Sequence, residues 1–160
     1  MRQHSSKKTL FACALVVGVA VITLDGQYSL TVSKDRLLNA KNEPQNWLLM
    51  NGDYGSQRYS RLTQINRDTV GDLRMVWALA LGGMQDTGRN GPESEVNPLI
   101  DNGFMYTSDG WGTVYKIDAR QPDRGDYVWI ADPGVDHEGN TSRTRGIALW
   151  EDKVLANLPD

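Results

Sequence analysis

The run over residues 97–129, NPLIDNGFMYTSDGWGTVYKIDARQPDRGDYVW, constrains this chain more than any other stretch. Apolar and polar residues alternate in three short segments, split by Asp101-Asn102-Gly103 and by Asp109-Gly110-Trp111-Gly112. Both separators carry the residues that tight turns between strands demand. A fourth segment follows a Gly-containing loop and takes in Trp129. The pattern predicts strands over 97–100, 104–108, 113–118 and 127–131, an antiparallel meander of the kind that forms one β-propeller blade. One blade cannot bury its own faces and needs neighbours. A hairpin over 146–150 and 154–157, turning at Glu151-Asp152-Lys153, begins the next blade. The chain therefore reads as all-β, a partial β-propeller of about one and a half blades with a short N-terminal helix, and as the front part of a larger protein.

Residues 1–24 differ from the rest. Arg2, Lys7 and Lys8 precede an apolar run over 10–24, with Gly18-Val19-Ala20 as a small-x-small cleavage site. The run is shorter than the ~20 residues that span a bilayer, so it reads as a signal peptide, with an uncleaved N-terminal anchor as the rival. The expected location is the periplasm. The single cysteine, Cys13, lies within this segment, so the remainder has no thiol with which to form a disulfide. With a formal charge of −3, and a more acidic remainder once the basic leader is set aside, the chain lacks the basic surface that nucleic acid requires.

Residues 25–43 are polar and aperiodic and read as a linker, with the structured part over 44–160. A short helix is expected over 64–73, with Asn66 as its N-cap and Asp68 in the first turn. Residues 74–81 read as a strand buried on both faces, because Met75, Trp77 and Leu79 alternate with Val76, Ala78 and Ala80. Polar loops follow over 82–95 and 132–144. Asp118 is expected to cap the turn after the third blade strand. Trp129 is expected to fill the gap between blades, and its replacement by alanine to cost ~3–5 kcal/mol if the ring is buried.

No catalytic constellation stands out from spacing alone. His137 falls in a polar loop and reads as a solvated residue. Glu93 and Glu95 would share one face of an extended chain, as would Arg143 and Arg145. Neither pair has an evident third partner, so spacing alone favours solvated loops. Glu95 and Arg145 rise above that reading because each precedes the first strand of a blade, and propellers commonly place ligands near the central axis.

Trp47 with Asn51-Gly52-Asp53-Tyr54-Gly55-Ser56-Gln57-Arg58-Tyr59-Ser60, then Leu62-Thr63-Gln64-Ile65-Asn66 with Val70, Leu73 and Trp77, form an ordered set of motifs. Glu95-Val96-Asn97-Pro98-Leu99, Val114-Tyr115-Lys116-Ile117-Asp118-Ala119 and Arg145-Gly146-Ile147-Ala148-Leu149-Trp150 extend it. In this order the set resembles the N-terminal part of the pyrroloquinoline-quinone (PQQ)-dependent alcohol dehydrogenases, the methanol dehydrogenase-like quinoproteins. The resemblance covers about Trp47 to Lys153.

It implies an eight-bladed propeller that oxidises a primary alcohol or aldehyde. PQQ would be the cofactor, and a calcium or lanthanide ion would be held by ligands beyond residue 160. Electrons would pass to a cytochrome c or a membrane quinone, and a homodimer is compatible with the family. Glu95 and Arg145 occupy the positions of the family's cofactor contacts within this stretch. Its catalytic residues are expected beyond residue 160, so none is assigned in this chain. Two departures stand out. Gly139 and Asn140 replace the adjacent cysteines of methanol-type members, and residues 154–160 lack the threonine that often helps hold the cofactor. The alternative is a non-catalytic propeller scaffold of the outer-membrane assembly type.

Overall fold

Asn102 and Gly103 both have positive φ, 49° and 79°, as a two-residue hairpin turn of matching twist requires. A Cβ on Gly103 would lie 2.6 Å from Arg120 Cγ, so glycine is needed there for space as well. In the computed structural model, which describes residues 31–82, 93–136 and 143–158, this turn joins the first two strands of a blade. The strands in chain order are β1 (Glu93–Ser94), β2 (Leu99–Asp101), β3 (Phe104–Ser108), β4 (Val114–Asp118), β5 (Asp126–Ala131), β6 (Arg143–Thr144), β7 (Ile147–Trp150) and β8 (Lys153–Ala156). They form an antiparallel β2-β3-β4-β5 sheet, a β7-β8 hairpin and a short β1-β6 pair.

The expected blade and the start of its neighbour are therefore present, with strand ends shifted by no more than two residues. Asp118 caps the turn after β4, since its Oδ1 accepts from Arg120 N at 3.0 Å. Val128 is an extra residue opposite Lys116 and Ile117, a bulge that bends the outer strand.

The core lies between the blade and the hairpin. Leu99, Phe104 and Tyr106 from β2 and β3 meet Ile147 and Leu149 from β7, with Leu48 and Val32 completing the cluster. The central strand β4 is buried along nearly its whole length, whereas every residue of β5 is exposed. Lys116 is buried in β4 with its ammonium 4.4 Å from the Phe104 ring centroid. Burial holds its pKa below the ordinary lysine value.

Four expectations change. Residues 32–43 are not a linker. Val32 is fully buried and bridges to Glu151, and helix α1 (Lys34–Leu38) follows, capped by Ser33. The helix is held by Arg36, which reaches Asp101 Oδ1 at 2.7 Å and Glu43 Oε2 at 2.6 Å. The helix expected over 64–73 shrinks to a 3-10 turn at Val70–Asp72. Asn66 is not its N-cap, a position that Thr69 takes without a side-chain cap; the Asn66 Oδ1 accepts instead from Asp68 N and Thr69 N in the turn just before.

Residues 74–81 form no strand and are mostly exposed, because no ladder partner runs beside them among the described residues. They do touch the blade: the Trp77 ring sits over Gly125, and the Tyr127 hydroxyl donates to Ala80 O. Trp129 stands at the gap between blade and hairpin, but its ring is 36% exposed, so it is not the buried lock expected. A cleft of about 280 Å³ beside it, reaching Val154, remains unfilled. The leader over 1–24, His137, Gly139 and Asn140 lie outside the described residues. Among those described, no helix is long and apolar enough to cross a membrane.

Candidate functional site

The turn Ser108-Asp109-Gly110-Trp111-Gly112 is the anchor of the site. Asp109 is buried, and its Oδ1 accepts from Trp111 N at 2.9 Å and Thr113 N at 3.0 Å. Its Oδ2 accepts from the Tyr115 hydroxyl at 2.8 Å, and that hydroxyl accepts from Gly82 N at 3.1 Å. Burial first, then the hydrogen bond to Asp109, pushes the Tyr115 pKa up to about 12. The turn is thus fixed by the Asp109 side chain, which accepts from two backbone N–H groups and one hydroxyl.

Two strands hang from this turn. The Ser94 hydroxyl in β1 donates to Ser108 O at 3.0 Å, and the Thr144 hydroxyl in β6 donates to Asp109 O at 2.6 Å. β1 and β6 run parallel, with Glu93 beside Arg143 and Ser94 beside Thr144, and Glu95 N donates to Thr144 O at 2.9 Å. Residues two apart on a strand share a face. With Ser94 and Thr144 turned to the anchor, the glutamates and arginines stand together on the other side.

The contacts alternate in sign. Arg143 Nε lies 2.9 Å from Glu93 Oε2, Arg143 Nη1 lies 3.9 Å from Glu95 Oε1, and Arg145 Nε lies 3.7 Å from Glu95 Oε2. Arg145 remains the most open of the four, 72% exposed. Leu81, Glu93, Ser94, Glu95, Asp109 and Gly110 line an adjoining cleft of about 550 Å³. Glu95 and Arg145, singled out from the sequence, are therefore neighbours. Glu93 and Arg143, which spacing alone assigned to solvated loops, are each other's partners. The matching charge spacing in two distant segments was the available signal. The anchoring roles of Asp109, Tyr115, Ser94 and Thr144 went unread. Among the described residues, no three His, Cys, Asp or Glu side chains converge as a metal would need.

The model of the glucose/ethanol/alcohol dehydrogenase β-propeller domain, the PQQ family, matches residues 47–157. The chain belongs to this PQQ family. Its relatives include the dehydrogenase subunit of the quinone alcohol dehydrogenase of Gluconacetobacter polyoxogenes, 34% identical, covering 96% of this chain and 20% of the relative. Methanol dehydrogenase [cytochrome c] subunit 1 of Paracoccus denitrificans is 30% identical, covering 87% of this chain and 21% of the relative. Among solved structures, the quinohemoprotein alcohol dehydrogenase ADHIIG of Pseudomonas putida HK5 superposes with a TM-score of 0.68 at 30% identity, covering 81% of this chain and 18% of that one. A europium-containing methanol dehydrogenase gives 0.64 at 26% identity, covering 78% and 21%. The PQQ-family chain described here thus spans about a fifth of the length of these relatives. At the level of the family, its relatives are quinone-dependent alcohol and methanol dehydrogenases, which are oxidoreductases.

Proposed function

We propose that this chain is the N-terminal part of an exported PQQ-dependent oxidoreductase. The full-length enzyme oxidises a primary alcohol or aldehyde in the periplasm and passes electrons to a cytochrome c or a membrane quinone. Glu95 and Arg145 are its contacts to the cofactor within this chain. The observation that carries this reading is their juxtaposition, 3.7 Å apart across the β1-β6 pair and next to an open cleft.

The donor set fits the group. PQQ is a planar tricarboxylate, and a guanidinium fork matches carboxylate and quinone oxygens. Arg145 has Nε 3.7 Å from Glu95 and a side chain that is largely exposed, which leaves the guanidinium accessible to a ligand. Glu95 lies within 4 Å of two guanidinium groups. That pairing offsets the penalty of setting a carboxylate against an anionic ligand. When bound, the quinone supplies the hydride acceptor, and a calcium or lanthanide ion supplies Lewis acidity through residues outside this chain. The part played by the present residues is to bind and orient.

The test uses the full-length protein. Arg145→Ala should lower PQQ retention tenfold or more, measured as quinone absorbance of the purified protein alongside dye-linked alcohol oxidation. Unchanged quinone content refutes the assignment. The alternative, a non-catalytic scaffold, predicts no quinone uptake by the wild-type protein; nothing in a scaffold calls for the alternating charges beside the cleft.

A further inference from the structure

The reading above leaves Glu93 without a task and gives Arg143 only a share in balancing the charge of Glu95. β1 and β6 are two residues each and share only a few backbone hydrogen bonds. So short a ladder fixes the anchored side, through Ser94 and Thr144, better than the side that carries the charges. No disulfide can tie the two segments, since Cys13 is the only cysteine. What links them on the charged face is the order Glu93, Arg143, Glu95, Arg145, at 2.9, 3.9 and 3.7 Å.

We propose that Glu93 and Arg143 are positioning residues for the quinone site. Glu93 holds the Arg143 guanidinium. Arg143 draws one oxygen of Glu95, and the second oxygen is thereby turned to Arg145. The pair acts through its neighbours, setting the rotamer of Glu95 and the reach of Arg145. The proposal rests on the reading of Glu95 and Arg145 as cofactor contacts.

Charge gives the proposal a sign that simple electrostatics does not share. Removing a negative charge near a tricarboxylate should tighten binding if Glu93 is a bystander. If Glu93 positions the site, its loss weakens binding. The experiment titrates PQQ into cofactor-free full-length protein, following tryptophan fluorescence, for wild type, Glu93→Gln, Arg143→Gln and the double variant. Glu93→Gln should weaken PQQ binding about threefold, the scale of a half-exposed ion pair. The double variant should bind no more weakly than Arg143→Gln alone, because the two act as one unit. Hydrogen exchange at the amides of residues 93–95 and 143–145, measured without cofactor, should quicken in Glu93→Gln. Unchanged or tighter binding in Glu93→Gln, additive losses in the double variant, or unchanged exchange overturns the proposal. A wild-type protein that binds no PQQ, or an Arg145→Ala variant that binds like wild type, overturns the underlying reading and this proposal with it.

Discussion

Replacing Asp109 by alanine should destabilise the protein by about 3–4 kcal/mol. The side chain is 4% exposed and accepts from Trp111 N, Thr113 N and the Tyr115 hydroxyl at 2.8–3.0 Å. Each buried donor left without an acceptor costs about 1–3 kcal/mol. Water entering the vacated space recovers part of that, so the total falls below the simple sum. Asp109→Asn is the control. Its remaining oxygen can still accept from both backbone N–H groups, and its amide can donate to the tyrosine hydroxyl, so its cost should be nearer 1 kcal/mol. The assay is denaturant unfolding of the full-length protein, paired with hydrogen exchange at the Trp111 and Thr113 amides. Because Asp109 O also receives the Thr144 hydroxyl, the alanine variant should quicken exchange in β6 as well. An Asp109→Ala protein within 1 kcal/mol of wild type, or an asparagine variant as costly as the alanine one, refutes the anchoring role.

Arg36→Met should cost about 2–3 kcal/mol in the same unfolding assay. It removes a cation 2.7 Å from Asp101, which is fully buried, while the partial exposure of Arg36 softens the loss; a loss under 0.5 kcal/mol would show that the N-terminal segment is merely draped on the blade. The Tyr115 pKa of about 12 stands above the ordinary 10, so its stabilising contribution is complete below pH 10 and is lost as pH rises from 10 toward 12. Tyr115→Phe should flatten that alkaline limb, and thermal melts across the window that match wild type would contradict the assignment. Trp129→Ala should cost about 1–2 kcal/mol, since the ring is more than a third exposed; a cost above 3 kcal/mol would mean that the ring is covered in the full-length protein.

The blade was legible because its determinants are local. Alternation over a few residues and the Asn102-Gly103 and Asp109-Gly110 turns specify each strand pair without reference to distant partners. Residues 32–43 were not legible for the opposite reason. Val32 and Arg36 take their meaning from Glu151 and Asp101, and nothing in a polar, aperiodic stretch announces partners so far along the chain. Residues 74–81 show the same limit in reverse: apolar residues on both faces describe a strand, but a strand also needs a neighbour's backbone. The site was half legible. Glu95 and Arg145 followed from their placement before blade strands. The service of Glu93 and Arg143 depends on a parallel register between segments that lie about fifty residues apart.

The bridge between Val32 and Glu151 bears on the order in which the molecule assembles. The two residues are separated by nearly the whole described chain, and their pairing needs the β7-β8 turn, where Glu151 takes a positive φ of 52°. The segment that carries Val32 must wait, with its valine uncovered, until the β7-β8 hairpin has formed. Local meanders close in microseconds, whereas a contact of this span pays a large loop-closure entropy before it is rewarded. The N-terminal segment is therefore a late seam. It closes over a blade already made, and a chain interrupted before residue 151 leaves that seam open to chaperones and proteases.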